Sequence, residues 1–149
     1  MSTLADPKAR TSCSDRLSRL DPNTRPKWGR MTAHQMVCHL DDSFLVATGD
    51  KYASPASNFL TKTVTKWVAL RTAFPWPHGV KTRPEIEQGS GGTAPSDWER
   101  DCARLRQSIL DFAARTTFAA HPIFGEMSQR DWLVWGYRHV DHHLRQFGV

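Results

Sequence analysis

The sequence predicts an all-α protein, a four-helix bundle whose long crossover carries an additional short helix. Three observations predict it. Apolar residues recur at three- and four-residue intervals in several separate segments, helix-start and helix-stop residues bracket those runs, and no segment alternates strictly as a half-buried strand does. At 149 residues, 39% hydrophobic and 23% charged, the chain has the length and composition of one globular domain, 1–149, and not of a disordered or fibrous protein.

Residues 7–20 form the first expected helix, with Leu17 and Leu20 three apart, and the stretch DPNTRPKWG stops it with two prolines and a glycine. Thr32 stands three residues ahead of Gln35 as a capping box and Gly49 suits a helix C-terminus, so the second helix spans 32–48. Met36, His39, Leu40, Phe44 and Ala47 share or border its inward face. A shorter helix is expected over 57–72, with Leu60, Val64, Trp67 and Val68 on one side. Residues 73–94 are rich in proline and glycine, and Phe74, Trp76, Val80 and Ile86 among them favour an ordered loop packed on the bundle. Pro95 and Ser96 suit the start of the next helix, whose apolar face is Trp98, Cys102, Leu105, Ile109, Phe112 and Ala113. The last helix runs from Ser128, a suitable N-cap, to Gln146, with Trp132, Trp135, His139 and His143 at helical spacing. These helices are long enough for antiparallel packing.

The net charge of +5 is spread along the chain without a basic run or a nucleic-acid-binding motif, so no specific nucleic-acid partner is expected. No apolar run reaches membrane-spanning length and the N-terminus lacks a secretory pattern, which makes a cytoplasmic location without a membrane partner the expectation. Cys13, Cys38 and Cys102 are odd in number and far apart, as reduced thiols are, and offer no thiolate metal site. Core packing suits Cys38 better than a reactive role. A homodimer is compatible with a small bundle, although no residue pattern marks one.

The closing stretch YRHVDHHLRQFGV places three histidines within five residues. On a helix His139 and His143 lie one turn apart and about 40° around the axis, whereas His142 points about 100° from His143. The first pair can share one ion, and His139 with His142 is the alternative. His39, from the inward face of another helix, supplies a third imidazole, which leaves a metal with an open position. Partly exposed polar residues at a helix C-terminus are the competing explanation for the same histidines.

The segments MTAHQMVCHLDD and HVDHHLRQFG together resemble the DinB-like superfamily of metal-binding four-helix bundles, over nearly the whole chain. WGRMTAHQMVCHL, PWPHGVKTRPE, GGTAP, HPIFG and HHLRQFG are similar to one little-characterised branch, a domain of unknown function. The resemblance assigns metal ligation to His39, His139 and His143 and matches Gln146 to the glutamine that follows the pair; the proline-rich crossover departs from some members. It implies a divalent metal, zinc foremost with nickel or iron as alternatives, and transfer of a low-molecular-weight thiol to a small electrophilic substrate, with hydrolysis second. Glu85, Asp42 and His142 are the candidate proton acceptors. Asp42 could equally be a fourth ligand or an acceptor for a ligand's ring N–H. Lys81 and Arg83 are candidates to bind carboxylates of a thiol cofactor or acidic substrate. A non-catalytic binding module with a structural or empty histidine site, its tryptophans and basic residues engaging a partner, is the contrasting reading. His34, His78 and His121 have no partners at ligand spacing and are set aside.

Overall fold

The computed structural model describes residues 1–149. Its helices are α1 (Pro7–Leu17), α2 (Ala33–Thr48), α3 (Lys66–Arg71), α4 (Trp98–Ala114) and α5 (Gln129–Gln146), with no β-strand. The fold is the expected all-α bundle. The capping box of α2 forms in both directions: the Gln35 amide donates to Thr32 Oγ1 at 3.1 Å and the Thr32 amide donates to Gln35 Oε1 at 2.9 Å. Gly49 ends the helix at φ +83°, a conformation that other residues rarely adopt. Ser128 caps α5 as anticipated. α4 starts later than Pro95 and Ser96 suggest, because Asp97 takes the cap by accepting from the Arg100 amide.

The direction of each helix follows from which side chains meet. Along α2, His34 meets Asp101, Asp41 meets Arg104 and Ser108, and Phe44 meets Phe112, so numbers rise together and α2 runs parallel to α4. Leu4 meets Leu133 and Arg16 meets Asp141, so α1 runs parallel to α5 by the same rule. Phe44 faces Trp135 whereas His39 faces His143, so α2 and α5 are antiparallel. Uniform antiparallel packing is therefore not what forms. Two parallel neighbours cannot be joined by a tight turn, and the chain leaving α2 must travel back roughly 24 Å, the length of a 16-residue helix, to begin α4. The long proline-rich crossover is that return.

Its fastenings are spaced along its length. Arg138 donates to the carbonyls of Thr72 and Phe74 and lies over the Trp76 ring, while Trp76 Nε1 donates to the Ala69 carbonyl. Asp42, fully buried, accepts from the Thr93 amide at 2.7 Å and its hydroxyl at 2.6 Å and pairs with Lys51 at 2.7 Å, fixing the crossover's far end to α2. The expected helix over 57–72 is a π-helical turn at Thr61–Thr65 followed by short α3. Thr63 donates its hydroxyl to the Phe59 carbonyl, the kind of local bond that competes with regular helix formation. Leu70 is the side chain this segment buries, whereas Leu60, Val64, Trp67 and Val68, the expected apolar side, are exposed. α1 also ends at Leu17 instead of Leu20, with Ser18 bonding back to the Ser14 carbonyl, yet Leu17 and Leu20 are both buried as their spacing requires.

The core is continuous through all five helices, built around Met36, Leu40, Phe44, Leu105, Phe112 and Trp132. No helix is long and apolar enough to cross a membrane. α5 touches all the other helices, and at Gly136 it packs closely against the core: a Cβ there would lie 2.8 Å from both Leu4 Cδ1 and Phe112 Cε1. Alanine would raise helix propensity by about 1 kcal/mol but overpack the core by about 1–3 kcal/mol. Gly136→Ala is accordingly expected to lower the urea unfolding midpoint, against the direction that propensity alone dictates.

Candidate metal centre

α2 and α5 bring His39, His139 and His143 together from opposite ends of the chain. Their ring centroids are 5.3, 4.9 and 4.9 Å apart, and one donor nitrogen from each lies within 4.8 Å of the others. His39 and His143 are buried, and His139 is partly open to a cavity of about 380 Å³. The buried triad could hold a metal ion.

Hydrogen bonds decide which nitrogens are free. Gln146 Nε2 donates to the Trp28 carbonyl at 2.9 Å, which turns Gln146 Oε1 toward His143 Nδ1 at 2.8 Å. An amide oxygen only accepts, so Nδ1 carries the proton and His143 Nε2 keeps its lone pair. His39 Nδ1 makes a longer contact, 3.4 Å, with the Ile86 carbonyl, and the same reasoning leaves its Nε2 free. Gly29 makes the first arrangement sterically feasible: at φ +80°, a Cβ there would come within 2.6 Å of Gln146 Nε2. The amide of Lys27 also donates to the Gln146 carbonyl, so the loop before α2 grips the end of α5 through backbone and side chain together.

The electrostatics suit a cation supplied from outside. Burial lowers the pKa of all three imidazoles, most strongly at His139 and His143, where the neighbouring triad imidazoles lower it further; at His39 burial outweighs the Ile86 carbonyl and Asp42, which act in the other direction. They stay neutral, the form that binds metal. No thiolate competes, since burial and then Asp101 push the Cys38 thiol up to about 12.

Among the proton acceptors the sequence offered, the structure brings only His142 to the cavity wall, with its pKa lowered by burial and by His78. Asp42 is not placed as a fourth ligand or an acceptor for a ligand's N–H, because both its oxygens are taken by Thr93 and Lys51. Glu85 does not line the cavity either, and its carboxyl is held below the usual range chiefly by hydrogen bonding to Ser54. Arg83 reaches the wall, but its guanidinium is committed to the Ser54 carbonyl and hydroxyl at 2.8 and 2.6 Å. Lys81 lines the wall, exposed and without an ion-pair or hydrogen-bond partner.

The histidines set aside on spacing each have a place. His34 bonds Asp101 at 2.8 Å in a second cluster with Cys38. Burial works to raise the Asp101 pKa but is outweighed by the Ser96 amide, His34 and Arg104, which hold it at about 2. With its oxygens so occupied and the thiol protonated, this cluster is a structural tie between α2 and α4. His78 stacks on Trp28 at 3.9 Å, pinning the crossover to the loop that holds Gln146. His121 lines the cavity. His78 and His121 stand beside prolines, in WPHG and HPIFG, where spacing arguments have no reach.

A family model described as a protein of unknown function, DUF1569, matches residues 8–148. The chain belongs to this family. No curated protein and no solved structure matches it. In this DUF1569 protein the match spans both histidine-bearing helices and the crossover that lies over them.

Two outcomes are expected. Unfolded histidines take up protons near pH 6.5, whereas burial delays that in the fold for His39, His139, His143 and His121, the last to about 3. Below about pH 6.5 the unfolded state therefore binds more protons, and the metal-free protein should lose urea stability progressively from pH 7 to pH 4. Gln146→Ala keeps every imidazole but frees His143 to rotate, and zinc affinity measured by competition with a chromophoric chelator should fall about 10- to 100-fold.

Proposed function

We propose that the protein is a divalent-metal-dependent enzyme that uses His39, His139 and His143 to activate a thiol or water for attack on a small electrophilic substrate. The observation that carries this reading is the Gln146 bond that fixes the tautomer of a buried, neutral His143 beside two further neutral imidazoles. Three nitrogen donors without a carboxylate or thiolate suit zinc, with nickel or iron as alternatives. Such an ion, when bound, supplies a Lewis acid that makes a thiolate or hydroxide available near neutral pH.

The chain's own residues do the rest. Trp28, Trp76 and Trp135 wall the cavity and exclude water, and His142, neutral near pH 7, can take up a proton at the wall. Lys81 offers an unpaired cation to a carboxylate on a thiol or substrate. The resemblance to DinB-like thiol transferases favours thiol transfer over hydrolysis. One observation favours the contrasting reading of a binding module: Phe59, Leu60, Val64 and Trp67 stand exposed on the crossover, where a partner could cover them.

Elemental mass spectrometry on the tag-free protein tests the first reading. One equivalent of a divalent metal is expected in the wild type, with less than about a tenth retained in His39→Ala and His143→Ala. Conjugation of glutathione or cysteine to monochlorobimane should fall about 100-fold or more in both variants. Thiol transfer or hydrolysis that persists in both would remove the triad from the chemistry.

A further inference from the structure

The cavity has a second polar feature that the metal reading does not use. His121 sits in the turn 121–125, whose ends are tied by reciprocal 2.8 Å amide-to-carbonyl bonds between His121 and Gly125. Its Nδ1 accepts from two backbone amides, those of Ile123 at 3.0 Å and Phe124 at 3.1 Å. A nitrogen that accepts twice carries no proton, so the proton of the neutral ring is on Nε2. Nε2–H is therefore a fixed donor, and it has no acceptor anywhere in the protein although the residue is 8% exposed. Burial holds the His121 pKa at about 3, so the ring stays a neutral donor throughout the physiological range.

The surroundings narrow what it can meet. Phe124 stacks on the ring, and Trp132 and Trp135 lie 5.3 Å from it. Trp132 also lines the cavity, and its buried Nε1–H likewise lacks an acceptor. Lys66, the cation that acts on His121, is engaged with the Glu126 carbonyl. Lys81, which also lines the cavity, is exposed, so against this aromatic wall the two donors suit an uncharged acceptor, because burying an anion there is costly. Trp135 packs against both groups, 5.3 Å from His121 and 4.8 Å from His139, and all three line the one cavity, so a single ligand can face the donor and the triad together.

We infer that His121 is a substrate-positioning donor, and that the cavity takes an apolar molecule whose carbonyl oxygen accepts from His121 Nε2–H while its far end faces the triad. This rests on the cavity being the substrate site proposed above and specifies the substrate's class. Asn at position 121 can place Oδ1 where Nδ1 now accepts the two amides, which preserves the turn while removing the reach of the Nε2 donor.

The test compares acetophenone with 2-phenylpropene, which replaces the carbonyl oxygen by a methylene of similar shape, using ligand-observed NMR on wild type and His121→Asn. The ratio of their dissociation constants should shift against acetophenone by about fivefold in the variant, the worth of one neutral hydrogen bond. Metal content measured on the same samples should be unchanged, so that loss of the triad and loss of the donor are read separately. An unchanged ratio, or acetophenone that does not occupy the cavity of the wild type, overturns the inference even if the metal is present. The expected shift in protein without metal would uphold it while the proposed chemistry fails.

Discussion

The bond from Gln146 to His143 is the constraint on which the rest of this structure depends. One side chain orients an imidazole at Nδ1, holds the carbonyl of Trp28, and sits against a glycine that cannot carry a Cβ without colliding with it. Trp28 in turn stacks on His78, which sets where the tip of the crossover lies, and the crossover brings Ile86 over His39. Helix ends usually fray, but here the last turn of α5 is tied to a loop more than a hundred residues earlier. Disturbing it would move an imidazole of the triad, a cavity wall and the crossover together.

The buried charges divide between fold and site. Asp41, Asp42 and Asp101 are all buried on α2 or α4, and each is matched by a cation and by hydroxyl or amide donors. The cavity side of α2 and α5 carries imidazoles that are kept neutral. Asp41 and Asp101 lie in the α2–α4 seam, matched by Arg104 and His34, whereas Asp42, held by Lys51 and Thr93, is the carboxylate whose charge reaches His39, where it works to raise a pKa that burial lowers more.

Much of this was legible in the sequence. Helix existence followed from apolar periodicity, and both ends of α2 followed from Thr32, Gln35 and Gly49, because caps are local chemistry. The triad was legible for the same reason: His139 and His143 are fixed relative to one another by helix geometry, and His39 lies on an inward face. What spacing could not reach is anything decided by tertiary contact. Asp42 looked like a partner for His39 three residues away, but Thr93 and Lys51 claim it. Leu60, Val64 and Trp67 formed a credible apolar side, yet the crossover is anchored through Leu70, Trp76 and Arg138, which leaves that side turned outward. His121 was invisible because its ring is set by two backbone amides in a turn.

The parallel course of α2 and α4 also has an electrostatic consequence. Peptide dipoles add along each helix, so two parallel neighbours place their positive poles side by side instead of cancelling them as antiparallel neighbours do. That end of the bundle is where Asp97, Glu99 and Asp101 cluster, and where Asp101 reaches from the first turn of α4 to His34 in the first turn of α2. The summed field of two aligned helices falls on one buried carboxylate, which then serves as a shared counterion for both macrodipoles.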